Sequence, residues 1–355
     1  MNVHRSSTVL AVAVLVAASV TAVTAVTTAT AAAPATCAHR VASDFNGDGY
    51  ADLVTGDPQR SIDGLHAAGS IQVDYGGSGG IDASKSQYFD QSTPGVPGDL
   101  TNYGDFGKSI AVGWFNGDCY ADIAVGAAGL TPASAGSVTV LYGSRTGIGT
   151  AGAQRYTGPS DTSGFGWSVA AGDFDADGYT DVVVGAPGAP DDGIEQAGEA
   201  AILYGGAGGL GAPSQWIGQD SPGVPGISEK YDGLGSAVTT GDFNGDGYAD
   251  AALGTPNEND HGVPDAGAVR IVYGSAAGIV TAGATSVSQS SPGVPGVNED
   301  TDRFGERLTS GDVNHDGYDD LLVGVPDEDI GSLIDAGDIA WIPGGPAGIT
   351  GAGTK

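Results

Sequence analysis

The chain has 355 residues, 43 of them acidic and 12 basic, for a net charge of −31 at neutral pH. That balance excludes nucleic acid and anionic membrane surfaces as partners, since both select basic patches. The 63 glycines are not spaced every third residue, which excludes collagen, and the 40% hydrophobic fraction excludes disorder.

In chain order, residues 1–33 come first and read as a secretory signal peptide. His4 and Arg5 precede an uncharged apolar run, TVLAVAVLVAASVTAVTAV, and ATAAA supplies small residues for cleavage between Ala31 and Pro34. An uncleaved N-terminal membrane anchor is the alternative, because the run is long. No later segment is apolar enough to span a bilayer, so a secreted, extracellular monomer is expected. In that oxidising setting the two cysteines, Cys37 and Cys119, are expected to pair.

An acidic nonapeptide then recurs five times: DFNGDGYAD (44–52), WFNGDCYAD (114–122), DFDADGYTD (173–181), DFNGDGYAD (242–250) and DVNHDGYDD (312–320). FGKS, FGWS, LGSA or FGER precedes each of the last four copies. After each copy comes an apolar run: LVTGDP, IAVGAA, VVVGAP, AALGTP or LLVGVP. Each unit then continues through AG into a second run, such as AGSVTVLYGS. The runs are short, rich in Val, Ile and Tyr, and bounded by Gly and Pro, so they read as strands. No sustained helical period follows residue 40. Units of about 37–92, 100–157, 163–219, 232–289 and 302–350 each offer about four short strands. Small sheets repeated along a chain bury both faces only by packing on one another, which predicts an all-β propeller.

Within DFNGDGYAD, Asp44, Asn46 and Asp48 at positions one, three and five can turn their oxygens to one point. Gly49 allows the sharp turn, Tyr50 offers its carbonyl, and Asp52 adds a carboxylate. An all-oxygen set at this spacing suits Ca²⁺ and not a transition metal, which would draw His or Cys. The same roles fall to Asp173, Asp175, Asp177, Tyr179 and Asp181, and to Asp242, Asn244, Asp246, Tyr248 and Asp250. The last copy supplies Asp312, Asn314, Asp316, Tyr318 and Asp320. An EF-hand is excluded because position twelve is Thr55, Val125, Val184, Leu253 or Val323 and not Glu. The second copy is degenerate. Trp114 replaces the first ligand and Cys119 the turn glycine, leaving Asn116, Asp118, Tyr120 and Asp122, so weak or no calcium is expected there. A Cys37–Cys119 disulfide would staple the N-terminus to this loop in place of a metal.

The FG…DxNxDGYxD…GAP layout, in five ordered copies from about residue 37 to 350, resembles the FG-GAP repeats of the integrin α-subunit propeller and its bacterial secreted relatives. The resemblance implies a seven-bladed ring with calcium in hairpin loops. Five copies depart from that number, so a five-bladed, imperfectly closed ring of four-stranded blades is expected, with an incomplete last blade or a chain short of blades as the alternatives.

In such a blade the acidic loops share one face with short turns such as YGSRTG. Long connections at 187–198, 256–267 and 326–337, with the SPGVPG-type segments, share the other. That second face is the expected ligand face, for an extracellular protein or carbohydrate. The competing expectation is a hydrolase acting on glycans or lipids at the ring centre. Its signals are weak. GGSGG (76–80) matches a nucleophile motif, but Arg145, Ala207, Ala276 and Pro346 occupy the Ser78 position elsewhere. His39, His66, His261 and His315 share no spacing, and no carboxylate pair stands out from the repeat.

Overall fold

The computed structural model describes residues 40–129, 135–159 and 164–354. The targeting segment, Cys37 and His39 lie outside these residues. Among those described there is no helix, and the strands form five separate antiparallel meanders. The first holds β1 (Leu53–Asp57), β2 (Ser70–Tyr75) and β3 (Asp82–Phe89). The second holds β4 (Phe106–Gly113), β5 (Asp122–Ala127), β6 (Ser137–Tyr142) and β7 (Gly149–Thr157). The third holds β8 (Ser168–Gly172), β9 (Asp181–Ala186), β10 (Glu199–Leu203) and β11 (Gln215–Ile217). The fourth holds β12 (Val238–Gly241), β13 (Asp250–Thr255), β14 (Ala268–Tyr273) and β15 (Val280–Val287). The fifth holds β16 (Arg307–Gly311), β17 (Asp320–Val325) and β18 (Asp338–Ile342).

The four-strand expectation therefore holds for the middle three blades and fails for the first, while the fifth, where an incomplete blade was the alternative, has three described strands. Residues 40–43, before the first acidic string, are not extended, and Ser43 takes a left-handed φ of 62°. With no Phe-Gly segment there, the described chain has nothing to pair with the free edge of β1. The fifth blade has no described fourth strand.

Sequence dictates how the blades meet. A side chain at Gly56 would lie 2.1 Å from the carbonyl oxygen of Gly107, and one at Gly126 would lie 2.1 Å from that of Gly166. Gly185 meets Gly235 and Gly254 meets Gly305 in the same way. The glycine of each GAP-like run thus exists to let the next Phe-Gly approach backbone to backbone. The preceding Phe106, Phe165, Leu234 or Phe304 is fully buried, and its N–H donates back to Ala68, Ala135, Ala197 or Ala266 of the blade before. Four apolar cores result, each filled from two adjacent blades. Strands β5, β9 and β13, covered on both sides, are buried throughout.

Among the described residues the ring does not close: no strand of the first sheet pairs with one of the fifth. Gly324 occupies the joint position, yet the nearest atoms to a side chain there belong to Arg307 of its own blade. Ile339, opposite Gly324, is 64% exposed, whereas Ile71, opposite Gly56, is 0% exposed. These two isoleucines test the joint directly. Ile71→Ala should cost about 2–5 kcal/mol and Ile339→Ala no more than about 0.5, read from urea unfolding midpoints.

Candidate functional site

Each acidic loop is a series of side-chain-capped turns. In the first, Asp44 Oδ1 accepts from the Gly47 and Asp48 N–H groups at 2.7 and 3.2 Å, and Oδ2 accepts from Gly49 at 2.8 Å. Asn46 Oδ1 accepts from Asp48 at 2.9 Å and Asp48 Oδ1 from Tyr50 at 3.0 Å. These bonds use Asp and Asn in their favoured turn role and curl positions one, three and five around a common centre. The pattern repeats with Asp173, Asp175 and Asp177, whose carboxylates each place an oxygen within 4.8 Å of the others. It repeats again with Asp242, Asn244 and Asp246, and with Asp312, Asn314 and Asp316.

The ninth position does more than close the loop. In all five blades one of its oxygens accepts from the position-two N–H (Phe45, Phe115, Phe174, Phe243 or Val313) at 2.8–3.1 Å. The other accepts from Gly76, Gly143, Gly205, Gly274 or Gly344 at 2.7–2.9 Å, in the turn that ends the strand following the one the aspartate opens. The carboxylates of Asp52, Asp122, Asp181, Asp250 and Asp320 are buried. Burial pushes the Asp52 carboxyl up to about 6 and those of Asp181 and Asp250 up to about 8, against the pull of these N–H bonds. Asp122 is pushed well above the usual carboxylate range by the same cause, and Asp173 up to about 6. Crowded, dehydrated carboxylates of this kind favour a cation, which would restore their ionised form.

The donor set therefore fits a hard divalent cation in four loops. Positions one, three, five and nine would give side-chain oxygens and the tyrosine at seven its carbonyl. The second loop keeps the fold but not the set. Asn116 Oδ1 still accepts from Asp118 and Asp118 Oδ1 from Tyr120, both at 3.0 Å, while Trp114 brings a buried indole to position one. Cys119 adopts φ 76°, where the other loops use glycines at 88–93°. That left-handed conformation strains any residue with a side chain. Cys119 is not a free thiol, and its expected partner Cys37 lies outside the described residues.

Sequence reasoning missed the coupling between loops. It took the position-seven tyrosines only as carbonyl donors. In the structure the ring of Tyr120 lies over Gly47, so that a side chain there would sit 2.6 Å from it; Tyr179 covers Gly117 and Tyr318 covers Gly245 likewise. The next residue's N–H donates to the position-one carbonyl of the preceding loop: Ala121 to Asp44, Thr180 to Trp114, Ala249 to Asp173 and Asp319 to Asp242, at 2.9–3.0 Å. At three of the four joints the signal was present as a glycine at position four followed one repeat later by a tyrosine at position seven; the third loop carries Ala176 there. It is consistent that His315 stands at position four only in the last loop, which no later loop covers.

On the other face, each long loop folds into a small hairpin, bridged at Ile62–Leu65, Asp191–Ile194, Asp260–Val263 or Ile330–Leu333. Three of the tips are Asp63-Gly64, Asp192-Gly193 and His261-Gly262, both residues of each at positive φ, as a two-residue hairpin requires. The long loop of the second blade and the TGPSDTSG segment lie partly outside the described residues. Hydrogen bonds from Tyr103 to His66, Tyr231 to Glu195 and Thr301 to Pro264 fasten these loops to the segment leading into the next blade. Ile194, Ile227, Tyr231, Val297, Ile330, Leu333 and Ile334 are exposed on this face, Ile334 by 78%.

The catalytic signals do not converge. Ser78 lies in the turn between β2 and β3, with no helix after it among the described residues. His66 and His261 are exposed in long loops, and His315 is exposed in an acidic loop. The innermost strands β4, β8, β12 and β16 are repeat-regular, and their hydroxyls bind the neighbouring blade: Ser109 to the Gly166 carbonyl, Ser168 to Gly235, Thr240 to Ala171 and Ser310 to Thr240.

Scaffold and ligand roles within one loop are separable. In EDTA, Asp250→Ala strands two buried N–H groups and should cost about 2–6 kcal/mol, while Asp246→Ala at the exposed rim should cost little. Urea denaturation of the two variants checks this.

Residues 41–74, 165–203, 234–272 and 304–354 match the FG-GAP repeat family, passing over the unit with the degenerate loop. The chain is 34% identical over 162 residues to phosphatidylinositol-glycan-specific phospholipase D of Bos taurus, covering 45% of this chain and 18% of that protein. It is 35% identical over 164 residues to integrin alpha-7 of Rattus norvegicus, covering 46% and 13%. It is 33% identical over 173 residues to integrin alpha-PS5 of Drosophila melanogaster, covering 46% and 15%. The match thus spans less than a fifth of each of these relatives. Among the described residues no helix is long and apolar enough to cross a membrane. With the repeats matched and the sheets stacked as successive blades, the chain is an FG-GAP repeat protein with an integrin-like β-propeller architecture.

Proposed function

We propose that this is a secreted, calcium-stabilised recognition module that binds an extracellular protein or carbohydrate through its long-loop face. The observation that carries the reading is the set of exposed aliphatic side chains, Ile330, Leu333 and Ile334 foremost, at the tips of hydrogen-bonded loops on that face. Side chains of this kind on rigid loops are what a binding surface needs. The acidic loops lie at the opposite end of the blades, so their cations serve the scaffold. Calcium is held by the loops beginning at Asp44, Asp173, Asp242 and Asp312, and the second loop is fastened by a Cys37–Cys119 disulfide in the exported protein.

The integrin relatives support an adhesive role, and the phospholipase D relatives keep hydrolysis as the competing one. The absence of convergence among Ser78, the histidines and the inner strands favours binding.

Extracellular calcium sites have dissociation constants of about 10⁻⁴–10⁻³ M, so at ten times that concentration each site adds about 1.4 kcal/mol. EDTA should therefore lower the melting temperature and calcium should restore it; an unchanged melt removes the metal from this reading. For the ligand face, the mature chain is assayed against immobilised glycans and extracellular matrix proteins with calcium or EDTA. The expected result is a calcium-dependent ligand, recovered uncleaved, whose binding falls at least tenfold in Leu333→Asp/Ile334→Asp. Cleavage of a panel member would establish the hydrolase instead.

A further inference from the structure

The second loop has lost a carboxylate, yet it keeps two, Asp118 and the fully buried Asp122. A buried carboxylate without a counter-charge is costly. In the other loops the donor set invites a metal to supply that charge. Here another cation is already in place. The Arg40 guanidinium carbon lies 4.8 Å from the centroid of the Trp114 ring; burial lowers its pKa, against the attraction of Asp122 and Asp118 for its charge.

The chemistry of the replacements agrees with this placement. Trp is the best aromatic face for a cation, and a planar guanidinium stacks on it as a lysine ammonium would not. Trp114 is therefore more than a missing ligand: it is the platform for a different cation. Arg40 is also held in place by the first loop. It lies four positions before Asp44, whose N–H donates to Val41 O at 3.2 Å and whose carbonyl accepts from Ala121 of the second loop at 2.9 Å.

We propose that the Arg40 guanidinium, stacked on Trp114, stands in the second loop as a built-in substitute for the divalent cation of the other four. This loop would then keep its shape when calcium is removed. The proposal rests on the reading that the other acidic loops bind calcium, and its test keeps the two apart.

Bound calcium is counted by elemental analysis after dialysis, and melting is followed in calcium and in EDTA, for the oxidised full mature chain. The wild type and Trp114→Asp should each hold four ions, because Arg40 still fills the loop, and Trp114→Asp/Arg40→Gln should hold five. Arg40→Gln alone should lower the melting temperature by about 2–4 °C, equally in calcium and in EDTA. A fifth ion in Trp114→Asp with Arg40 retained, or an unshifted melt of Arg40→Gln, overturns the proposal. If the double variant does not fold, the two single variants decide. If the wild type holds no calcium, the functional reading fails, while the Arg40→Gln melt in EDTA still judges the guanidinium.

Discussion

The structure depends on one interaction made five times: a buried aspartate that accepts one backbone N–H from its own loop and one from the turn ending the strand after the one it opens. Each blade has three or four short strands and little else to fix its ends. Joining the start of this strand to two loops sets the register from which the rest of the meander follows. The interaction needs no metal. That is why Asp122 persists where Trp114 has displaced the first ligand and Cys119 the turn glycine. A cation would act on a loop already shaped by hydrogen bonds, reducing the repulsion among carboxylates that folding has brought together.

Much of this architecture was legible in the sequence, because repetition turns weak local signals into strong ones. Runs such as VVVGA and AAILY carry little individually, but five ordered copies fix the strands and their order. The acidic loops were legible for the same reason, since turn chemistry and ligand spacing coincide in one nonapeptide. Features joining one repeat to the next were not. The seating of Tyr179 over Gly117 and the close approach of Gly56 to Gly107 are relations between positions about fifty to sixty residues apart. Each residue alone has an ordinary local explanation. The first blade was misjudged for a related reason: its strand count depends on a Phe-Gly segment that the other units possess and this one lacks.

The two faces of the blades obey different constraints. Loops on the acidic face are bound to one another through tyrosine rings and backbone bonds, so a change in one is felt by the next. Long loops on the opposite face are fastened at their bases and free at their tips. Variation at Ile330, Leu333 or Ile334 therefore leaves the cores untouched. Rigid framework and variable surface are divided between the two ends of the same strands.

The four cores described above are shared, each half belonging to a different blade. No blade thus owns a complete hydrophobic interior, and the smallest piece with one intact core is an adjacent pair. Cooperativity in such an arrangement passes from neighbour to neighbour. Fraying should begin at the fifth blade, where Gly324 and Ile339 face no partner among the described residues and one core holds β16–β18. Duplication of this unit would then be constrained as well: an added blade contributes stability only if it carries both halves of the joint, the Phe-Gly that docks backward and the glycine that receives the next.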